Sequence, residues 1–189
     1  QELKDSYCWK GLKGTMQLSK PLSVHPEVVA RVLTVCQLFS EDLPIESGVI
    51  QHALSAIKIP YRFENVPCAL PGKWIVDVGH NPAAAVYVRD QIQAKRSKGQ
   101  KIHLVFSAME DKNIAEMVEV FRPLVDCWQV CALDHPRAAS LKKLKEVCAG
   151  VKGCFYPSVA DFFAEASVRI AKEELVVVQV AQDVIQNKR

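Results

Sequence analysis

The chain has 189 residues, of which 49% are hydrophobic and 24% are charged, a composition typical of a folded globular protein. Its formal net charge of +3 is too small to favour binding to nucleic acid or to an anionic membrane surface. The seven cysteines are scattered without zinc-type spacing, and the sequence shows neither a signal peptide nor a membrane span. We therefore expect free thiols, no metal site and a cytoplasmic location.

The N-terminal part of the chain is polar at first and then helical in pattern. Residues 1–22 are mixed in character, with a possible short hairpin around Tyr7-Cys8-Trp9. Apolar residues at helical spacing predict one helix over residues 26–39 and a second over residues 46–57. Proline in the next segment, 59–64, predicts extended chain rather than helix.

From Trp74 onward, apolar runs alternate with amphipathic segments. Alternation of this kind is typical of βαβ units that build a mostly parallel sheet. The sequence therefore predicts an α/β, Rossmann-like fold with helices on both faces of the sheet, preceded by a short helical segment. The predicted strands are 74–79, 101–107, 127–133 and 175–181, with a weaker one at 153–155, and the predicted helices are 82–97, 112–122, 140–149 and 158–172.

The segment from Trp74 to Ala85 predicts a buried strand that turns directly into a helix. Asp77 lies near the end of the strand, and Gly79 permits a sharp turn. Asn81 can cap the helix that follows. The carboxyl ends of parallel strands are where such sheets bind ligands, so we expect the acid and His80 at a binding site. Polar loops after the other strands, at 107–113, 134–137 and 180–183, have the same placement, although loops are polar in any case.

Four motifs occur in order along residues 25–178. They are Pro60-Tyr61-Arg62-Phe63, Asp77-Val78-Gly79-His80-Asn81-Pro82, Ser107-Ala108-Met109-Glu110-Asp111-Lys112-Asn113 and His135-Pro136-Arg137-Ala138. The set resembles the folylpolyglutamate and dihydrofolate synthases, the folate branch of the Mur-type ligases. That family has a Pro-Gly-Arg hinge, an Asp-x-(Ala/Gly)-His-Asn-Pro turn, an Asp-Lys-Asp loop and a Pro-Arg-Ala-type turn.

The resemblance implies an ATP-dependent ligation. In that family a substrate carboxylate takes the γ-phosphate of ATP, and the amino group of L-glutamate attacks the acyl phosphate to give an amide. The family cradles ATP and Mg²⁺ on a Gly-rich P-loop of a central domain, and no such loop occurs here. We therefore interpret residues 67–189 as the C-terminal ligase domain and residues 1–66 as a remnant of the central ATPase domain plus the hinge. The implied partners are L-glutamate, a pteroate or folate substrate and the N-terminal ATPase domain.

The resemblance assigns nucleotide contacts to Arg62 and Asp77. Arg62 would reach the phosphates from the hinge, because a guanidinium matches phosphate geometry. Its alternative role is an ion pair with a neighbouring acid. Asp77 would contact the nucleotide as a catalytic residue, or would instead be a strand-end carboxylate bonded to loop amides.

The remaining site residues implied by the resemblance are His80, Asn81, Lys112 and Arg137. His80, also a catalytic candidate, and Asn81 would face the junction of phosphate and incoming glutamate, where they position rather than transfer protons. Lys112 and Arg137 would attract a carboxylate substrate, or they are simply surface charges at helix starts.

Three departures from the family pattern leave other functions open. No asparagine precedes Asn65 to open the first helix, Tyr61 replaces the hinge glycine, and Ala181 stands where the family has serine. These changes favour a ligase-like domain that has lost turnover and acts as a binding or regulatory module. A Mur-type ligase for a peptidoglycan precursor is the third possibility. If the ligase reading holds, the isolated chain should neither hydrolyse ATP nor bind it tightly.

Overall fold

The computed structural model describes residues 6–19 and 24–180. The chain divides into two compact units, Gln1–Pro60 and Tyr61–Arg189. The division lies before the boundary at 66/67 drawn from the sequence, because Glu64–Val66 pairs with the sheet of the second unit. No helix among the described residues is long and apolar enough to cross a bilayer.

The first unit is a β-hairpin with two helices. The hairpin anticipated around Tyr7-Cys8-Trp9 is present, and its strands are β1 (Ser6–Gly11) and β2 (Gly14–Ser19). The helices are α1 (Pro26–Leu38) and α2 (Ser47–Ala56). The small core contains Leu18 from β2 and Val29 and Leu33 from α1.

The second unit is a six-stranded sheet with helices on both faces, which confirms the fold class. The strand order is β3-β4-β8-β5-β6-β7, and only β3, at the edge, is antiparallel to its neighbour. Its elements in chain order are β3 (Glu64–Val66), β4 (Lys73–Asp77), α3 (Pro82–Lys95), β5 (Ile102–Phe106), α4 (Ile114–Phe121), β6 (Cys127–Cys131), α5 (Leu141–Val147), β7 (Gly153–Tyr156), α6 (Val159–Arg169) and β8 (Leu175–Gln179).

Each face of the sheet buries its own apolar cluster. Alternate residues of a strand point to opposite faces, so nearly continuous apolar strands are covered on both sides. One face packs on α3, α4 and α5, through residues such as Val88, Met117 and Leu144. The other packs on α6, through Phe162 and Ala166.

The predicted strands and helices are all present, but most are shorter than predicted. The strand predicted over 74–79 ends at Asp77, because the Asp77 side chain accepts the N–H of Gly79 and the backbone turns there. The helix predicted over 112–122 begins only at Ile114, since the Asn113 side chain caps it. The final residue of the strand predicted over 175–181 lies outside the described residues.

A buried polar chain crosses the sheet from the carboxyl end of β7 to the residue before β8. The Tyr156 hydroxyl donates to Gln129 Oε1 at 3.1 Å, and Gln129 Nε2 lies 3.3 Å from His103 Nδ1. His103 Nε2 is 2.9 Å from Glu174 Oε2, which also accepts the Ala171 N–H at 2.8 Å. Burial by itself would raise the pKa of Glu174, but the Ala171 N–H and His103 outweigh it and hold that pKa below its ordinary value.

We expect Glu174→Gln to lower the free energy of unfolding at neutral pH by about 1–3 kcal/mol, because the neutral amide loses the charge that strengthens the bonds from the Ala171 N–H and His103. A carboxylate with a lowered pKa stabilises the fold above its ordinary pKa and loses that contribution as the pH falls through the lowered value. The wild-type and variant stabilities should therefore converge on acidification. Urea unfolding across pH measures this difference.

Glu165→Gln is the matched control, because the ion pair that Glu165 forms within the described part of the chain, with Arg169, is exposed. Such pairs contribute little, so its stability should stay close to wild type. Equal losses in the two variants would contradict the assignment.

Candidate active site at the carboxyl ends of the strands

The carboxylate of Asp77 joins two separate loops at the end of β4. Its Oδ2 accepts the Phe63 N–H at 2.9 Å, and its Oδ1 accepts the Gly79 N–H at 2.6 Å. The residue is only 3% exposed. Burial raises the pKa of Asp77, while the two amide bonds and the nearby charge of Arg62 act in the opposite direction. Asp77 therefore uses both oxygens within the protein, as the alternative role drawn from its sequence position anticipates.

The first of these loops presents Arg62 to solvent. Tyr61 and Phe63, on either side of it, have φ angles of 59° and 48°, in the left-handed region that residues other than glycine seldom adopt. Three bonds hold the loop there: Tyr61 N–H to Glu64 Oε2, Val78 N–H to the Tyr61 carbonyl, and Phe63 N–H to Asp77. Arg62 is exposed and forms no ion pair with any described acid, although it lies near enough to influence Asp77.

The second loop is the turn from β4 into α3. Gly79 leaves no space for a side chain, since a Cβ would lie 2.7 Å from both Ala84 Cβ and Asp77 Oδ1. His80 is exposed, and its Nδ1 lies 3.3 Å from the Val78 carbonyl, which fits an N–H donor there and a free lone pair on Nε2. Asn81 is the N-cap of α3, with Oδ1 accepting the Ala84 N–H.

Lys112 and Arg137 lie in two loops that hold each other. The Glu110 N–H donates to the Arg137 carbonyl at 2.8 Å, and the Ala139 N–H to the Ala108 carbonyl at 3.0 Å. Lys112 pairs with Asp111 at 2.7 Å, and Arg137 also contributes to lowering the pKa of that carboxyl, after the bond from Lys112. The two hydrogen bonds of Asp77 thus link the loop that carries Arg62 to the turn that carries His80 and Asn81. The bonds between the next two loops likewise link Lys112 to Arg137.

Two further residues at this end of the sheet carry buried polar atoms. Ser107 Oγ and Gln179 Oε1 have no hydrogen-bond partner among the described residues, although nearly all buried polar atoms in proteins do. Gln179 was not a candidate site residue from the sequence. The sequence does contain a signal for Gln179, because it is the one polar side chain in the strand Leu175–Gln179.

The described residues contain no group of three or more His, Cys, Asp or Glu side chains that could hold a metal ion. We therefore assign no magnesium ligand to them.

The family relationship follows from the whole second unit. The family described as Mur ligase, glutamate ligase domain, matches residues 61–181. This range includes the Arg62 loop, Asp77 and the two loops that carry Lys112 and Arg137. The chain belongs to this family. This finding confirms the Mur-type resemblance.

Curated relatives place it near the folate branch. The dihydrofolate synthase/folylpolyglutamate synthase of Haemophilus influenzae is 33% identical over 193 residues, which cover 92% of this chain and 44% of the relative. The Escherichia coli enzyme of the same name is 28% identical over 165 residues, covering 87% of this chain and 37% of the relative. The chain thus spans about two fifths of the length of these relatives.

Solved structures agree with the sequence relatives. Escherichia coli FolC in complex with DHPP and ADP superposes with a TM-score of 0.78 at 25% identity, over 100% of this chain and 46% of the other. A bifunctional folylpolyglutamate synthase/dihydrofolate synthase with Mn, AMPPNP and L-glutamate bound gives a TM-score of 0.72 at 25% identity, over 91% and 41%.

Tyr61 allows a test of the strain in the Arg62 loop. We expect Tyr61→Gly to be about 1 kcal/mol more stable than Tyr61→Ala, because glycine adopts a φ of 59° without a Cβ clash. Chemical denaturation of the two variants isolates the backbone contribution, since both lack the tyrosine ring.

Ala83→Gly, in the first turn of α3, is the control for an ordinary backbone angle. There glycine should be the less stable residue by about 0.5–1 kcal/mol. If glycine were also the worse residue at position 61, that position would not be strained.

Proposed function

We propose that this chain acts as the C-terminal part of an ATP-dependent amide ligase that adds L-glutamate to dihydropteroate or to folates. The observation that carries the proposal is the pairing of the Arg62 loop with the His80 turn through Asp77, within a domain of the glutamate ligase family. The relative with Mn, AMPPNP and L-glutamate bound supports a nucleotide and an amino acid as ligands.

Arg62 is the group we assign to the phosphates of ATP. It is exposed, without an ion-pair partner among the described residues, and fixed at its backbone on both sides. Because the backbone of the loop is already fixed, binding costs no ordering of that backbone, and a guanidinium can bond two phosphate oxygens at once. Asp77 contributes by holding the loop. We propose this indirect role because both of its oxygens are occupied by amides.

His80 and Asn81 are the groups we assign to the reacting amine and acyl phosphate. In the final step the amine nitrogen bonds to the acyl carbon, the bond from that carbon to the phosphate oxygen breaks, and the leaving phosphate carries away the proton that the amine loses. With Nδ1–H on the Val78 carbonyl, His80 Nε2 can accept a hydrogen bond from the amine and orient it. Asn81 opens α3, whose N-terminal amides favour negative charge such as that of the leaving phosphate.

Lys112 and Arg137 are the groups we assign to a substrate carboxylate. The bonds between their loops hold both cations on one small surface. Asp111 partly offsets the charge of Lys112 and Arg137. The surface is therefore better suited to a singly charged anion than to a polyanion. We place the α- or γ-carboxylate of L-glutamate there.

ATP and Mg²⁺ would be held mainly by another domain, since the described residues supply no cluster suited to the metal.

The first unit offers a surface for that domain. One stripe of α1 carries Val28, Val32 and Val35 at helical spacing and continues to Phe39, the residue that ends the helix, with exposures of 43%, 55%, 52% and 54%. Exposed apolar stripes of this kind mark interaction surfaces, and the ATPase domain of a longer chain is the partner we propose.

The test is a ligation assay on the full-length protein that contains this chain, with ATP, Mg²⁺, labelled glutamate and either dihydropteroate or tetrahydrofolate. We expect His80→Ala to lower kcat by about 100-fold, the scale of losing one polar contact to a reacting group. Arg62→Ala should mainly raise the KM for ATP, and Arg62→Lys should recover part of the loss.

Arg169→Ala, on the exposed side of α6, is the matched arginine control and should leave both constants unchanged. Glutamate incorporation into neither acceptor by well-folded protein would overturn the proposal. That result would favour the non-catalytic binding module, to which the missing asparagine before Asn65 and the alanine at position 181 already point.

A further inference from the structure

Gln179 is a polar residue at the end of a central, otherwise apolar strand. It is 1% exposed, and its Nε2 donates to the Gly79 carbonyl at 2.8 Å. Because β8 lies between β4 and β5, this side chain reaches from the centre of the sheet to the turn that begins α3. The bond links positions that are 100 residues apart in the chain.

The backbone of Gly79 is therefore held on both sides by buried side chains. Asp77 Oδ1 accepts its N–H at 2.6 Å, and Gln179 Nε2 donates to its carbonyl. Glycine alone would leave this turn free to rotate, since it has no Cβ to restrict φ and ψ. The two side chains supply the restriction that the residue itself lacks.

The carbonyl of Gly79 belongs to the peptide group that continues into His80. A rotation of that peptide would swing His80 away and would also disturb the start of α3. We propose that Gln179 is a positioning residue: by fixing the Gly79 carbonyl it sets the place of the His80 ring at the mouth of the site. This inference rests on the proposed function, in which His80 orients the attacking amine.

A second buried glutamine shows what a purely structural role looks like. Gln129 on β6 is also 1% exposed, and both ends of its amide are bonded, to the Tyr156 hydroxyl and to His103. Gln179 differs, because its Oε1 has no partner among the described residues. The only bond of its amide within that part of the chain is the one to Gly79, so its effect is concentrated on the turn.

The first arm of the test uses the 189-residue chain with ¹⁵N,¹³C-glycine and ¹³C-histidine labels, where eight glycines and five histidines keep the NMR spectrum simple. In Gln179→Met, we expect shifted Gly79 carbonyl and His80 ring signals and faster hydrogen exchange of the Gly79 amide. Gln129→Met is the matched control, and it should leave these signals unchanged even if it lowers stability.

The second arm uses the full-length protein in the ligation assay. Gln179→Met should lower kcat by roughly 10- to 100-fold, the scale of a small misplacement of a reacting group. Its KM for ATP should stay unchanged, because the Arg62 loop is held by Asp77 and Glu64 rather than by Gln179. Gln129→Met should leave kcat unchanged.

Gln179→Glu distinguishes positioning from loss of folding. A protonated glutamate donates to the Gly79 carbonyl as the amide does, whereas an ionised one repels it and faces Asp77 across Gly79. Burial raises the pKa of a carboxyl. The rate of Gln179→Glu relative to wild type should therefore rise as the pH is lowered from about 8 to about 6, while the Gln179→Met ratio stays flat.

The outcomes separate the two proposals. An inactive wild-type protein would overturn the proposed function, and the NMR arm would still decide whether Gln179 holds the turn. An active wild type with unchanged kcat in Gln179→Met, or with unchanged Gly79 and His80 signals, would overturn the positioning role. A flat Gln179→Glu ratio would likewise count against it.

Discussion

The bond pattern of one buried carboxylate organises the candidate site. One oxygen of Asp77 accepts a hydrogen bond from the Phe63 N–H, and the other accepts one from the Gly79 N–H. The carboxylate therefore fixes two loops that lie on either side of β4 in the sequence. Burying a charge is costly unless it is bonded, which is why burial raises the pKa of Asp77 while the two amides oppose that rise. The arrangement leaves Arg62 and His80 as the exposed groups on either side of it.

In the Arg62 loop, a residue that differs from the family pattern still has the backbone conformation expected of the family residue. The hinge glycine of the folate-branch pattern is Tyr61 here, yet its φ of 59° lies in the region that glycine adopts most easily. The bonds from Glu64, Val78 and Asp77 over-determine the loop and so sustain the strained angles at Tyr61 and Phe63. Tyr61 therefore does not argue by itself for a decayed domain, and that alternative depends on the other two departures.

The sequence could predict what depends on periodicity and could not predict what depends on tertiary partners. Continuous apolar runs gave the parallel strands, and Asn81 with Pro82 gave the start of α3. The short edge strand Glu64–Val66 carries no strand pattern and exists only because β4 offers an edge to pair with. The partners of Asp77 are backbone amides, which no side-chain motif reveals. Gln179 is visible in the sequence as a polar residue at the end of an apolar run. Its contact with Gly79 could not be predicted, because that contact depends on the chain connection that places β8 beside β4.

Two sets of buried polar groups in the sheet differ in how completely they are bonded. The chain that runs from Tyr156, at the carboxyl end of β7, to Glu174, just before β8, is continuous, and bonding lowers the pKa of Glu174 despite its burial. Around the carboxyl ends of β4, β5 and β8, Asp77 keeps a raised pKa, and Ser107 Oγ and Gln179 Oε1 are without partners among the described residues. Full bonding specifies and stabilises a fold, whereas incomplete bonding is tolerated where a site must meet a ligand. The contrast therefore fits a structural role for the chain from Tyr156 to Glu174 and adds support, independent of any motif, to the ligand site that we propose near Asp77.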